Sequence, residues 1–346
     1  MSVTAAPTIR PLVMTMGEPA GVGGEIALKA WLGRKGDPAI PVFAVIDDAA
    51  RLERLATLLG LDVPIRPIAD IADAGAAFGA GLPVLHQPLA GEVVPGQPNP
   101  DNAPAVITAI TRAVALVQSG AAGAVVTNPI HKKTLYRSGF AFPGHTEFLA
   151  ALAGGGAYPV MMLVGGGLRV VPVTIHMRLR DAIDALDGDA IVRTAATTHD
   201  ALQRDFGIAR PRLAVAGLNP HAGEDGDMGC EEMQIVAPAI ARLRERGLAA
   251  FGPVPPDTLF TAAARCGYDA AICMYHDQAL IPLKALAFDQ GVNVTLGLPF
   301  VRTSPDHGTA FDIAGRGVAD AQSLVAALKL AAAMAGRRAG LATFVR

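Results

Sequence analysis

The chain is poor in the residues that would tie it to several broad functional classes. Its 346 residues include one tryptophan and four tyrosines, and its formal charge is −2, so it has neither a basic face nor stacking aromatics for nucleic acid. Three cysteines, Cys230, Cys266 and Cys273, form no Cys-x-x-Cys pair. Their odd count argues against a disulfide framework and for reduced, packed thiols. No run approaches the roughly 20 apolar residues of a membrane span. The best candidate, Leu324 to Gly336, is short and contains Lys329, although mean hydropathy is +0.37. Met1 to Pro11 lacks the basic start, apolar centre and cleavage site of a secretory leader, which makes the cytoplasm the expected location.

What the chain does have is short apolar runs alternating with alanine-rich helical stretches, 51% hydrophobic against 17% charged. That alternation predicts an α/β protein with a mostly parallel sheet. Strands are expected at Leu12 to Thr15, Pro41 to Ile46, Ala121 to Val126, Pro159 to Val164, Val170 to Ile175, Arg212 to Ala216 and Ala270 to Met274. Helices are expected at Glu25 to Leu32, Ala49 to Leu59, Asn102 to Gln118, Ile191 to Phe206, Glu231 to Arg246 and Ala319 to Ala335, with Asp101 as the third one's N-cap. The length suggests two domains. No simple linker is visible, and the glycine- and proline-rich stretch from His86 to Pro100 reads as an ordered surface loop.

Three apolar runs end in histidine: Arg169 to His176, Leu213 to His221 and Ala270 to His276. Parallel strands would deliver each imidazole to the carboxyl edge of the sheet, where open α/β sheets place their ligands. Three neutral imidazoles could share one metal ion and leave positions open for a substrate. The competing reading is three unrelated turn residues. In Asn219 to Gly229, Glu224 and Asp225 stand where they could accept hydrogen bonds behind a ligating His221.

Other motifs suit anions. Gly17-Glu-Pro-Ala-Gly-Val-Gly-Gly-Glu25 leads from a strand into a helix but is neither G-x-G-x-x-G nor a P-loop, so a plain tight turn competes with an anion cradle. Gly144-His-Thr-Glu147 puts His145 and Thr146 at a helix start, where phosphate or carboxylate is favoured, with Thr146 alternatively a simple N-cap. Lys284, Asn293 and Arg302 fall within nineteen positions among apolar residues. Buried cations need partners, either a bound phosphate and carboxylate or ion pairs to Asp289 or Asp306.

Asp306-His-Gly-Thr-Ala-Phe-Asp-Ile-Ala-Gly315 resembles the adenine-side loop of isopropylmalate and isocitrate dehydrogenases, with Phe311 where those enzymes usually have proline. Taken in order, Gly17-Glu-Pro-Ala-Gly21, Gly144-His-Thr-Glu-Phe148, Asn219-Pro-His-Ala-Gly-Glu224, Tyr275-His-Asp-Gln278, Asn293 to Phe300 and Asp306 to Ala310 resemble the 4-hydroxythreonine-4-phosphate dehydrogenase (PdxA) family over almost the whole chain. The resemblance implies two α/β/α domains of isopropylmalate/isocitrate-dehydrogenase type with an active-site cleft between them. The first, 1–130 with 285–346, would carry the NAD loop, and the second, 131–284, the metal ligands and a homodimer interface.

By the same resemblance, His176, His221 and His276 hold a divalent ion (zinc, cobalt or magnesium) shared between subunits. His145, Thr146, Lys284, Asn293 and Arg302 bind a small phosphorylated hydroxy acid. Lys284 and Asp257 are the catalytic candidates, with the proton acceptor left open between Lys284 and a water on the metal. His307, Gly308, Thr309, Asp312 and Gly315 bind NAD, or alternatively NADP. The implied reaction is oxidation and decarboxylation of 4-phosphooxy-L-threonine to 3-amino-2-oxopropyl phosphate, in pyridoxal 5′-phosphate synthesis. Erythronate or threonate 4-phosphate is the rival substrate, and a metal-dependent phosphohydrolase or aldolase the rival class. Two local departures stand out: Gly24 where relatives commonly have proline, and Thr127-Asn-Pro-Ile-His-Lys-Lys133 for a commoner Thr-Gly-Pro-Val-His-Lys, which leaves the roles of His131 and Lys132 open.

Overall fold

The computed structural model describes residues 10–154 and 156–341, so the stretch read above for a leader lies almost wholly outside the described residues. The strands in chain order are β1 (Leu12–Thr15), β2 (Phe43–Asp47), β3 (Ile65–Ile68), β4 (Leu82–His86), β5 (Val125–Thr127), β6 (Val160–Gly165), β7 (Leu168–Pro172), β8 (Arg212–Ala216), β9 (Ala249–Val254), β10 (Ala270–Cys273), β11 (Val292–Leu296) and β12 (Arg302–Pro305). The principal helices are α1 (Gly23–Gly33), α2 (Ala49–Leu58), α3 (Ala103–Gln118), α4 (Lys132–Arg137), α5 (His145–Leu152), α6 (Gly188–Arg204), α7 (Ala237–Glu245), α8 (His276–Ala287) and α9 (Gln322–Arg338). No helix among the described residues is long and apolar enough to cross a membrane.

The chain divides into two compact units, Met1–Ala157 with Leu298–Arg346, and Tyr158–Gly297. In the first, parallel strands run in the order β3-β4-β2-β1-β5-β12. β1 and β2 are buried along their whole length, as continuous apolar runs covered on both faces must be. From β1 the chain goes to β2 on one side and later to β5 on the other, so the loops leaving β1 and β5 part at a topological switch point. Gly17 turns the chain there at φ +68, and a Cβ on it would lie 2.6 Å from the Pro129 carbonyl oxygen. Only glycine fits that approach. Asn128, at the common glycine position, donates to the carbonyls of Thr15 at 3.0 Å and Gly23 at 3.4 Å and so ties β1 to the start of α1.

Gly24 has an equally local cause. A Cβ at this position would meet Leu55 Cδ2 at 2.8 Å and the Arg51 guanidinium at 3.0 Å. Arg51 cannot easily move away, since it is buried, paired with Asp47 at 2.6 Å and donates to the Pro19 carbonyl.

The second unit has the order β11-β6-β7-β10-β8-β9, with β11/β6 and β6/β7 antiparallel and the other pairs parallel. Its boundaries differ from those expected. Residues 131–157 belong to the first unit because Leu135, Phe140, Phe148 and Leu149 join the core formed by Ala105, Ala109, Ile110 and Ala113 of α3. Residues 285–297 belong to the second because β11 pairs with β6. Asp101 is no helix cap: it lies in a 3-10 turn whose cap is Asn99, and α3 follows Asn102. Of the cysteines, Cys273 is packed as expected, whereas Cys230 and Cys266 are exposed, and all three are free.

Candidate active site

In the second unit, β7, β10 and β8 lie side by side and parallel, and His176, His276 and His221 follow their carboxyl ends. Hydrogen bonds lace those ends together. Val173 N–H and Thr174 Oγ1 donate to the carbonyls of Cys273 and Met274, both at 2.8 Å. Gln278, buried, accepts from Met274 N–H at 2.6 Å and donates to Gly217 O at 2.8 Å, joining the end of β10 to that of β8. The His176 and His276 rings come within 5.8 Å, centroid to centroid. His276 opens α8, and its Nδ1 lies 2.7 Å from Asp277 Oδ1. A carboxylate there places the imidazole proton on Nδ1 and leaves the Nε2 lone pair outward.

His221 stands on a strained loop. Residues 221–225 all have positive φ, forming a left-handed turn in which His221, Ala222, Glu224 and Asp225 are not glycine. Each such residue costs roughly 1–2 kcal/mol, so the turn needs outside support. Glu232 supplies it. Buried in a π-helical turn (Glu232–Val236), its carboxylate accepts from Leu218 N and Asn219 N at 2.7 Å and from Asn219 Nδ2 at 2.9 Å. Gly223 is glycine because a Cβ would meet Glu232 Oε2 at 2.6 Å. The carboxylates behind this loop are therefore Glu232 and Glu231, since Glu224 and Asp225 are exposed and His221 bonds to neither. Glu232→Ala should lower stability by about 3 kcal/mol, because it leaves three N–H groups to find water. A urea midpoint would measure this, and proteolysis should open first at 219–229.

Among the described residues, one chain gathers no group of three histidine, cysteine or carboxylate side chains able to hold a metal. His176 and His276 meet within the chain, and both they and His221 are accessible or partly so.

The first unit gathers cations. His145 opens α5 behind the extended Gly144, which makes Gly144 the N-cap and removes that role from Thr146. His145 Nε2 is buried and makes no hydrogen bond among the described residues. Burial, with the charges of Arg302 and Lys132 nearby, holds its imidazole well below the usual histidine range, hence neutral. Arg302, only 4% exposed, donates through Nη2 to Thr127 Oγ1 at 2.6 Å. Burial lowers its guanidinium to about 10, and it remains charged at neutral pH. The site thus combines a helix start, a desolvated arginine, a lysine and a ring nitrogen without a partner, a set suited to a phosphate.

Three other expected residues lie in the second unit. Lys284, on α8, is half-buried with Nζ 5.5 Å from the Phe288 ring. Asn293 is half-buried in β11. Asp257 is exposed on the short helix Pro256–Leu259, which packs against the His221 loop.

The loop from His307 to Gly315 meets the Gly17 to Gly21 turn within the first unit. Val22 N–H donates to Thr309 O at 3.1 Å, and a Cβ on Gly21 would be 2.8 Å from the same oxygen. Gly315, at φ +73, packs on Pro95. Beside it opens a cavity of about 540 Å³ lined by Gly21, Arg54, Leu55, Leu58, Glu92, Pro95 and Gly315 among others. Phe311, at the usual proline position, meets the His131 ring edge-on at 5.1 Å, and His131 Nδ1 lies 2.6 Å from Thr134 Oγ1. His131 is thereby part of the support of this loop.

Residues 39–331 match the model of the family described as pyridoxal phosphate biosynthetic protein PdxA. The chain belongs to the PdxA family. It is 53% identical to the 4-hydroxythreonine-4-phosphate dehydrogenase of Bradyrhizobium diazoefficiens over 340 residues, covering 95% of this chain and 98% of that protein. The crystal structure of the enzyme so named from Klebsiella pneumoniae superposes with a TM-score of 0.84 at 39% identity, over 94% of this chain and 99% of that one. Its counterpart from Burkholderia phymatum gives 0.81 at 42% identity, over 95% and 99%.

Within this PdxA chain, sequence reasoning missed three contributors. Lys132 was noticed without a role, and the fold brings its Nζ to 3.6 Å from where a Gly144 Cβ would stand, at the start of α5. Gln278 sits in a quoted motif but works through two strand ends remote in sequence. Glu232 carried no local signal.

Proposed function

We propose that the chain is a 4-hydroxythreonine-4-phosphate dehydrogenase of pyridoxal 5′-phosphate synthesis, oxidising and decarboxylating 4-phosphooxy-L-threonine to 3-amino-2-oxopropyl phosphate with NAD and a divalent metal. The observation that carries the phosphorylated substrate is the buried Arg302 beside Lys132 and a neutral His145 whose Nε2 has no partner. Arg302 and Lys132 bind the phosphate as cations, the α5 start adds backbone donors, and Thr146 is within the first helical turn to add a hydroxyl.

The residues fit both the metal ion and the coenzyme. His276, its Nδ1 held by Asp277, and His176 across from it present imidazoles suited to zinc or cobalt, with His221 as the third ligand. Magnesium is a poorer match for nitrogen donors. For the dinucleotide, the missing side chain of Gly21 lets the Thr309 carbonyl pack closely against the Gly17 to Gly21 turn, and His307, Gly308, Thr309, Asp312 and Gly315 of that packed loop are assigned to the coenzyme. When bound, the ion supplies Lewis-acid polarisation of the substrate oxygen and the nicotinamide accepts the hydride. The chain's own part is to orient and to move a proton: Arg302 and Lys132 fix the phosphate, Asn293 is assigned to substrate binding, and Lys284 is assigned both to substrate binding and to the hydroxyl proton. Asp257 acts near the His221 loop.

Each histidine segment also carries exposed apolar side chains: Met177 and Leu179 after His176, Met228 and Met233 after His221, Ile281 and Phe288 after His276. Such surface is costly in water and supports a homodimer that completes the three-imidazole set.

Coenzyme reduction with 4-phosphooxy-L-threonine, erythronate 4-phosphate or threonate 4-phosphate tests the reading. Fastest turnover of the amino substrate is expected, and release of inorganic phosphate without coenzyme reduction would support the hydrolase reading instead. Sedimentation should give a dimer.

A further inference from the structure

The cavity beside Gly315 has the size of a small-molecule site, about 540 Å³. Leu55, Leu58 and Pro95 give it an apolar wall, and Leu58 is 61% exposed with no protein group covering it. At its rim stand one cation and one anion, Arg54 and Glu92, both exposed. Neither side chain makes a hydrogen bond or ion pair among the described residues. The remaining cation of the lining, Arg51, is committed to buried Asp47 and to the Pro19 carbonyl, so Asp47 cancels its charge. An apolar slab bordered by a free guanidinium and a free carboxylate suits an adenine ring whose ribose reaches the rim. There a 2′-hydroxyl would donate to Glu92, while a 2′-phosphate would be drawn to Arg54 and repelled by Glu92.

We infer that this cavity is the adenosine pocket of the coenzyme, and that Arg54 and Glu92 are opposed determinants of its preference for a 2′-phosphorylated or an unphosphorylated ribose. The inference rests on the dehydrogenase reading above and adds the two side chains that would read the ribose, which no motif assigned. With opposite charges at one rim, the wild type takes both coenzymes, and a change at either position tilts the balance.

Calorimetric titration with 2′,5′-ADP and 5′-AMP, with inorganic phosphate as a control, tests the pocket without turnover. Arg54→Ala should weaken 2′,5′-ADP relative to 5′-AMP about tenfold, the size of one charge-assisted contact, and Glu92→Gln should shift the ratio the opposite way by several-fold. The NADP-to-NAD ratio of kcat/KM should move in parallel. Unchanged ratios in both variants would overturn the assignment, as would inorganic phosphate matching 2′,5′-ADP, which would mark an anion site without an adenosine pocket. If nucleotides bind with these preferences but 4-phosphooxy-L-threonine reduces neither coenzyme, the pocket stands and the substrate reading falls. If turnover proceeds while the variants leave every ratio unmoved, the reverse holds.

Discussion

Arg302→Met is expected to lower kcat/KM for the phosphorylated substrate by about 10³-fold, the kinetic equivalent of ~4 kcal/mol for a buried charge-assisted contact to phosphate. Arg302 is 4% exposed and its guanidinium is strongly desolvated, with burial lowering it to about 10. If its purpose were internal cement, removal should unfold the protein. If its purpose is to meet an anion, the unliganded variant gives up a desolvated charge along with its hydrogen bonds to Thr127, and should lose no more than about 2 kcal/mol of unfolding free energy. Steady-state kinetics with an equilibrium unfolding curve separates the two. Arg302→Lys should recover only part of the rate, since an ammonium lacks the planar fork that matches a phosphate. A variant that lost stability and kept kcat/KM would remove Arg302 from the substrate site.

The second large effect is expected at the imidazoles. His276→Ala should reduce bound zinc or cobalt to near nothing and kcat by at least about 10³-fold, because it removes one of the three proposed ligands and breaks the pair with His176. Asp277→Asn supplies a graded comparison. It retains the ligand but replaces the carboxylate that lies 2.7 Å from His276 Nδ1, so metal affinity should fall by roughly 10- to 100-fold. Metal analysis of dialysed protein, with activity followed as the ion is added back, gives both values. Full metal content in His276→Ala would place the ion elsewhere.

The placement of these imidazoles was legible because the runs that lead to them are continuously apolar, and β7, β10 and β8 are the buried parallel strands that such runs produce. Of the five strands that escaped notice, β3, β4, β9, β11 and β12, three break that pattern for physical reasons. β3 is Ile-Arg-Pro-Ile with its middle exposed, β9 contains glycine and proline, and β12 buries Arg302, Thr303 and Ser304. The left-handed turn at 221–225 was invisible because nothing in its own residues demands it; buried Glu232, further along the chain, imposes it through three hydrogen bonds. Lys132 was hidden by distance of another kind, since its neighbourhood to Gly144 and Arg302 exists only after α4 and α5 fold onto α3.

The tight approach of Gly24 to Leu55 and Arg51 has a consequence for any redesign of this corner. Positions 24 and 51 occupy one small volume, so their substitutions are coupled and their order matters. With a buried arginine at 51, any side chain at 24 would meet its guanidinium. A bulkier residue at 24 is expected to fit only in a chain whose residue 51 has been shortened.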